Sequence, residues 1–246
     1  MKYFVVSDIH SFFGEFKKAI DEAGFDPTDE NHRLIICGDL FDRGSQPLEL
    51  MQHLNEEVPN AILIRGNHED LFVKMCERGE PWMHDYSNGT AQTIFDFTGV
   101  DKPWPFEYRA EVALGMVRPM LNRMVDYYET DHYVFVHGWI PCVKEHHRLA
   151  KYRPLEEDWR DAPKNKWEDA RWYNGMDCAA QGVVVPGKTV VCGHWHCSYG
   201  HWFYENDGKP EFGEGADFSP YYANGIIAID ACTAYSGKVN CIVLDD

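Results

Sequence analysis

Short apolar runs recur along the 246-residue chain, each bounded by polar residues or glycine. They are rich in Val, Ile, Tyr and Phe and last only four or five residues, which is typical of buried β-strands. We predict six such strands, at residues 2–6, 33–37, 61–64, 132–136, 188–192 and 225–229. A chain with this pattern is expected to build its core around β-sheet.

The two segments between the first three strands have apolar residues at helical spacing instead. Phe16 and Ile20 share one face of the first predicted helix, which Gly24 ends. The second has Ser45 as a candidate N-cap and Pro47 in its first turn. A strand–helix–strand–helix–strand order predicts a layered α/β fold.

Residues 69–125 are less regular, with helical patches and many aromatic side chains, and we expect a helical cap-like segment there. Residues 205–220 are rich in glycine, proline and acidic residues and are expected to form a long surface loop. Neither segment resembles a flexible linker. We therefore predict one domain over residues 1–246.

The charge balance excludes several classes of partner. Lys and Arg number 23 against 40 Asp and Glu, a formal net charge of −17, which disfavours binding to duplex nucleic acid or to an anionic membrane surface. No apolar stretch approaches the roughly 18 residues of a membrane span. The eight cysteines form no CxxC pair, and we interpret them as reduced thiols of a cytoplasmic protein.

Side chains that can bind metals follow five of the predicted strands at their carboxyl ends. They are Asp8 and His10, Asp39, Asn67, His137, and His194 and His196. Ligand sites of open α/β sheets lie at this edge. Because buried polar groups need partners, a cation that binds all of them at once explains their convergence.

The types of ligand narrow the choice of metal. Imidazole and carboxylate ligands without thiolates suit Mn, Fe or Zn rather than Ca or an iron–sulfur cluster. Six or seven ligands exceed what one ion with an open position would use. Two divalent ions that share Asp39, roughly 3.5–4 Å apart, are the natural arrangement. Their excess positive charge would suit a phosphate dianion.

These motifs closely resemble those of the calcineurin-like metallophosphoesterases. The resemblance is strongest to the phosphoprotein phosphatase branch, which includes bacterial and phage serine/threonine phosphatases and is marked by GDxHG, GDxxDRG, GNHE, a later HG and a last His. The counterparts here are residues 7–11, 38–44, 66–69 and 137–138, and His194. The resemblance implies an α-β-β-α fold, a β-sandwich flanked by helices, and a metal-dependent phosphatase.

The resemblance also implies which residues hold the two ions. It assigns the first ion to Asp8, His10 and Asp39, and the second to Asp39, Asn67, His137 and His194. His196 stays open, because a second His in GHxH is a ligand in the wider superfamily but commonly not in this branch. The remaining histidines, His146 and His147 among them, have no spacing tied to the motifs and are interpreted as surface or structural residues.

The same resemblance implies the roles of the catalytic residues. His68 would be the general acid, oriented by Asp42, and Arg43, Arg171 and Asn67 would bind the phosphate. The reaction expected is hydrolysis of a phosphate monoester by a water molecule that two cations activate. The planar forks of two arginines suit a dianion better than the single charge of a diester.

Three classes of function remain open. The first is a phosphomonoesterase, chiefly a serine/threonine-type protein phosphatase acting on a phosphorylated protein or a small phosphoester. The second is a phosphodiesterase or dinucleoside polyphosphate hydrolase; the symmetrical dinucleoside tetraphosphate hydrolases resemble this branch but often lack a carboxylate at the position of Asp42. The third is a non-catalytic scaffold, which the complete ligand set disfavours.

Overall fold

The computed structural model describes residues 1–145 and 150–246 and contains two main β-sheets. Its strands are β1 Lys2–Val6, β2 His32–Cys37, β3 Ile62–Ile64, β4 Tyr128–Glu129, β5 Tyr133–Phe135, β6 Cys142–Glu145, β7 Lys151–Pro154, β8 Thr189–Cys192, β9 Tyr221–Ala223, β10 Ile226–Ala228 and β11 Ile242–Asp245. The six predicted strands are confirmed as β1, β2, β3, β5, β8 and β10. The predictions for His146 and His147 lie outside the described residues.

The two sheets place their central strands in parallel. The first has the order β11-β1-β2-β3, with β1, β2 and β3 parallel and β11 antiparallel to β1. The second has the order β4-β5-β8-β10-β9, with β5, β8 and β10 parallel. A separate hairpin pairs β6 with β7. Because parallel strands end at a common edge, the loops that follow them are brought together there.

Helices cover the outer faces of both sheets. They are α1 Phe13–Glu22, α2 Pro47–Glu56, α3 Asn67–Arg78, α4 Met83–Ser87, α5 Thr90–Thr98, α6 Phe106–Leu121, α7 Lys164–Ala170, α8 Gly175–Ala180, α9 Cys197–Gly200 and α10 Thr233–Ser236, with a short 3₁₀-helix at Trp159–Asp161 and a π-helix at His201–Glu205. The two helices predicted from periodicity are confirmed as α1 and α2. Ser45, however, does not cap α2: the N-cap is Gln46, and Pro47 begins the helix, where its missing N–H needs no partner.

Alternation along β1 shows how the layers are built. Phe4 and Val6 point to an outer core shared with α1, α2, α3, α5 and α6, whereas Tyr3 and Val5 point to a core between the two sheets. A third core, which includes Trp167, lies on the outer face of the second sheet with α7 and α8. The α-β-β-α sandwich expected from the resemblance is confirmed.

The helical segment predicted over residues 69–125 forms most of the outer layer on the first sheet. Phe72 of α3, Ile94 of α5 and Ala113 of α6 belong to the same core as Phe4. Within the described residues, no helix combines the length and apolar character that crossing a bilayer requires. All eight cysteines are free thiols.

Candidate metal centre

The loops after β1, β2, β3, β5 and β8 bring the predicted site residues to one place. Two groups of side chains there have candidate ligand atoms within 4.8 Å of one another: His10, Asp39 and His68 in one, and Asp39, His137 and His194 in the other. Asp39 belongs to both groups. The Asp39 carboxylate, which was predicted to bridge two ions, therefore lies where the two groups of side chains meet.

The backbone of these loops is strained. Nine non-glycine residues in the described part of the chain have positive φ, and seven lie in the loops at the site. They are Asp8, His10, Ser11, Asp39, Asp42, Arg43 and His194. Each such residue costs about 1–3 kcal/mol and persists only where the surroundings enforce it, as they do at functional sites.

Hydrogen bonds orient two of the histidines toward the centre of the site. Nδ1 of His10 lies 2.9 Å from the Phe41 carbonyl oxygen, and Nδ1 of His137 lies 2.8 Å from the Cys37 carbonyl oxygen. Because a carbonyl only accepts, each Nδ1 carries the proton and each Nε2 presents a lone pair. Burial lowers the pKa of both imidazoles and so keeps this neutral form.

The atoms around His137 form a cluster of acceptors with no proton between them. Its Nε2 lies 2.7 Å from Oδ1 of Asn67 and 3.3 Å from Oδ1 of Asp39. All three are buried, and buried acceptors that face one another are unfavourable unless a cation lies among them. The nitrogen and oxygen donors, without thiolate, therefore fit divalent transition metals.

The pKa values of the Asp8 and Asp39 carboxyl groups also indicate a site for cations. Burial raises the pKa of Asp8 to about 6, and burial raises that of Asp39 to about 6 as well. Each charged form is disfavoured because burial removes the carboxylate from water. Two divalent cations beside these carboxylates would stabilise their charged forms.

Asp8 does not belong to either group of three. Its Oδ2 instead accepts a hydrogen bond from the backbone N–H of His194, at 2.9 Å. In the first group, the place expected for Asp8 is taken by His68. Asp8 thus ties the β1 loop to the β8 loop, and its role as a ligand stays a prediction.

His68 and Asp42, the predicted acid–base pair, lie in hydrogen-bonding contact. Nδ1 of His68 lies 2.7 Å from Oδ2 of Asp42, which is fully buried. Hydroxyls of Thr90 and Thr93 donate to the same carboxylate at 2.7 and 3.0 Å. Burial opposes protonation of His68, but the Asp39 and Asp42 carboxylates outweigh it and raise the pKa of His68 to about 9. The raised pKa favours the protonated form of His68, and its role as the general acid stays a prediction.

Arg43 extends over the first group from the exposed side. Its two terminal nitrogens lie 3.0 Å from Nε2 of His10 and 3.3 Å from Nε2 of His68. The residue is exposed, whereas both histidines are buried. Its guanidinium is therefore placed to meet an anion that arrives at the site.

Arg171 lies in a different environment. It is 4% exposed, and its two terminal nitrogens form ion pairs with Asp70, at 2.6 Å, and with Asp126. Asp70 also accepts from Arg65 at 2.7 Å. The nitrogens that were expected to bind phosphate are thus already engaged by carboxylates of the protein.

We expect Arg171→Met to lower the free energy of unfolding by about 2–3 kcal/mol. Removing one partner of a buried ion pair costs more, but Arg65 would continue to pair with Asp70 and Asp126 is partly exposed. Urea unfolding measures the difference, with Arg43→Met as the exposed counterpart. Equal stability of the two variants would contradict a structural role for Arg171.

The structure does not bring His196 into either group. Its Nε2 lies 2.8 Å from Oε1 of Glu211, and its ring stacks beside Trp195 and contacts Phe212 at 4.8 Å between centroids. In this arrangement the second His of GHxH binds the surface loop at 206–220. Its role as a ligand stays a prediction.

Glu69 has a role that sequence reasoning did not identify. Its carboxylate accepts three backbone hydrogen bonds, from Gly66 at 2.7 Å, Leu40 at 2.8 Å and Asp39 at 3.1 Å. It thereby joins the β2 loop to the start of α3. The backbone of Gly66 lies so close to the β2 loop that a Cβ on this residue would be 2.1 Å from Oδ1 of Asp39. Only a residue without a side chain fits at this position.

Glu69→Gln is expected to lower the free energy of unfolding by about 2–3 kcal/mol. Its amide group would turn N–H donors toward at least one of the three buried backbone N–H groups, which then lacks an acceptor. Chemical denaturation is the measurement, and Glu77→Gln, an exposed position on α3, is the control. A loss no larger than that of the control would show that Glu69 does not hold the loops together.

Comparison with known proteins agrees with this geometry. The family model described as calcineurin-like phosphoesterase matches residues 1–198. A symmetrical bis(5'-nucleosyl)-tetraphosphatase from Methylococcus capsulatus (strain ATCC 33009 / NCIMB 11132 / Bath) is 30% identical over 239 residues, covering 79% of this chain and 81% of that protein.

Other similarities are shorter or more distant. A protein of the same name from Aromatoleum aromaticum (strain DSM 19018 / LMG 30748 / EbN1) is 33% identical over 79 residues, which cover 32% of this chain and 28% of that protein. A protein serine/threonine phosphatase from Saccharomyces cerevisiae superposes with a TM-score of 0.57 at 12% identity, covering 100% of this chain and 80% of that one. At that identity the superposition shows a shared fold alone.

The sandwich fold and the polar loops at one edge of its sheets are consistent with the family that the comparisons indicate. The chain belongs to the calcineurin-like phosphoesterase family. Membership agrees with the enzyme class and with the use of divalent metals expected from the motifs.

Proposed function

We propose that this protein hydrolyses dinucleoside polyphosphates with two divalent metal ions. The observation that carries the proposal is the relative from Methylococcus capsulatus, a symmetrical bis(5'-nucleosyl)-tetraphosphatase that aligns with most of both chains. This is the second of the functions considered from the sequence, and it now takes precedence over a protein serine/threonine phosphatase.

The surroundings of the two arginines support the same substrate. Arg43 presents its guanidinium at the site, but both terminal nitrogens of Arg171 are paired with carboxylates. Two arginine guanidinium groups suit the dianion of a phosphate monoester. A single guanidinium group is better matched to an internal phosphate of a polyphosphate chain, because that phosphate bears a single negative charge.

We assign the first ion to Asp8, His10 and Asp39, and the second to Asp39, Asn67, His137 and His194, with His68 beside the first ion as a proton donor rather than a ligand. When bound, the ions would lower the pKa of a water molecule and polarise the phosphoryl oxygens. Arg43 binds a phosphoryl oxygen and holds the phosphorus in line for attack. His68 donates the proton on Nε2 to the leaving oxygen, while Asp42 accepts from Nδ1 and keeps the ring oriented.

Hydrolysis of phosphomonoesters is the second candidate, and Asp42 favours it. The resemblance noted in the sequence implies that symmetrical dinucleoside tetraphosphate hydrolases often lack a carboxylate at this position. Here it is fully buried and accepts from His68, Thr90 and Thr93. An acid–base pair held by this many hydrogen bonds would be suited to protonate a poor leaving group, such as the serine oxygen of a phosphoprotein.

Direct competition between substrates separates the two candidates. The full chain is incubated with Mn²⁺, with Zn²⁺ or with chelator, and kcat/KM is measured for diadenosine tetraphosphate and for a phosphoserine peptide. We expect metal-dependent preference for the dinucleotide of about 100-fold or more, equivalent to about 2.7 kcal/mol. The reverse preference would support the monoesterase, and no turnover of either by metal-loaded protein would contradict both.

A further inference from the structure

A cavity of about 370 Å³ lies beside the candidate metal centre, on the side of the second sheet. Its lining residues are Val143, Lys144, Lys166, Asp169, Trp172 and Tyr173. The volume lies within the range of small-molecule sites. None of these residues belongs to the motifs that define the metal centre.

Trp172 connects the cavity to the metal centre. Its ring centroid lies 5.8 Å from that of His194 with the planes at 83°, and His194 hydrogen-bonds to the Trp172 backbone. The indole is 46% exposed. A ligand in the cavity would thus contact an aromatic ring that itself contacts a candidate metal ligand.

The charges in the cavity are unusual for this chain. Two lysines face one aspartate, in a protein whose formal net charge is −17. Neither Lys144 nor Lys166 forms an ion pair with any residue the structure describes. Nζ of Lys144 lies 5.4 Å from the Tyr173 ring centroid, a cation–π contact that positions it. Unpaired cations focused in a cleft attract an anionic group.

We propose that this cavity binds one nucleotide unit of the substrate, an inference that rests on the proposed function. The nucleobase stacks on Trp172, Lys144 and Lys166 bind a phosphate of the chain, and Asp169 accepts a hydrogen bond from a sugar hydroxyl. Aromatic faces serve any base, and lysine is a common phosphate binder. The cavity adjoins His194, so the polyphosphate can continue from it into the metal centre.

Calorimetric titration of the Mn²⁺-loaded full chain with ADP and with pyrophosphate tests the inference. Trp172→Leu is expected to weaken ADP binding at least about fivefold, the lower bound for loss of one base stack, and to leave pyrophosphate affinity within about twofold. The double variant Lys144→Ala/Lys166→Ala is expected to weaken both ligands at least about fivefold. The control is Lys164→Ala, an exposed lysine on α7 outside the cavity.

The outcomes separate this inference from the proposed function. Affinities for ADP within twofold of wild type in both cavity variants would overturn the inference, even if the chain hydrolyses diadenosine tetraphosphate. Weakened binding of a phosphoserine peptide, with ADP unaffected, would also overturn it. Loss of ADP affinity in a chain that does not hydrolyse the dinucleotide would support a nucleotide site and contradict the proposed function instead.

Discussion

Replacing His68 with asparagine is expected to lower kcat by about 10²–10⁴-fold while the chain keeps its metal ions. The factor is the usual contribution of a general acid, and His68 is held as a donor by the 2.7 Å contact with Asp42. His10 and Asp39 remain in place to bind metal. Steady-state rates and elemental analysis of the same sample measure the two quantities together.

The control for this prediction is His84→Asn, a half-exposed histidine on α4. It is expected to turn over substrate at the wild-type rate. Asp42→Asn should also slow turnover. The carboxylate accepts hydrogen bonds from His68 Nδ1 and from the hydroxyls of Thr90 and Thr93, and an amide, with one acceptor oxygen, cannot replace all three. An unchanged kcat in His68→Asn, or a loss that follows metal content, would remove His68 from proton transfer.

Replacing Asp39 with asparagine is expected to reduce binding of both metal ions and to lower kcat at least about 10³-fold. Asp39 is shared by the two groups, and metal ions supply several kcal/mol of transition-state stabilisation. Asparagine keeps Oδ1 as the acceptor for the His68 backbone N–H, so the loop should keep its conformation. Titration of the apoprotein with Mn²⁺ measures the change.

Asp21→Asn, on the exposed surface of α1, is the matched control and should bind metal as the wild type does. Thermal melting of the metal-free proteins checks that both variants are folded. Two ions bound to Asp39→Asn with wild-type affinity would contradict the bridging role of Asp39, even if the rate fell.

The parts of the fold that local pattern encodes were predictable. The six strands are short apolar runs, and each candidate metal ligand follows a strand within a few positions. Asp39 and His137 follow strands of different sheets, and the packing of the two sheets brings these residues together. The motif spacing then identified the family. Information of this kind depends on neighbours in sequence, so a single sequence carries it.

Contacts between distant segments were not predictable. Strand β11 pairs with β1 across nearly the whole chain, opposite Lys2 at Asp245, and the predicted strands did not include it. Thr90 and Thr93 reach Asp42 from about 50 positions away, because α5 packs against the β2 loop. A threonine pair on a helix gives no signal of that partner.

Arg171 and His196 show why a residue's partners decide its role. Both match expected positions, yet Arg171 pairs with Asp70 and Asp126, and His196 pairs with Glu211 in a loop whose course the sequence did not predict. A sequence motif identifies which residue occupies a position, but it does not identify the partners of that residue. Carboxylates from other loops determine whether its polar atoms are available for a metal or a phosphate.

The most direct test is to titrate metal-free protein with Mn²⁺ and record bound ions and diadenosine tetraphosphate hydrolysis in the same samples. We predict that hydrolysis appears only with bound metal and saturates at two ions per chain, as expected for two groups that share one carboxylate. Hydrolysis that persists in chelator, or that saturates at a single ion, would contradict the dinuclear centre.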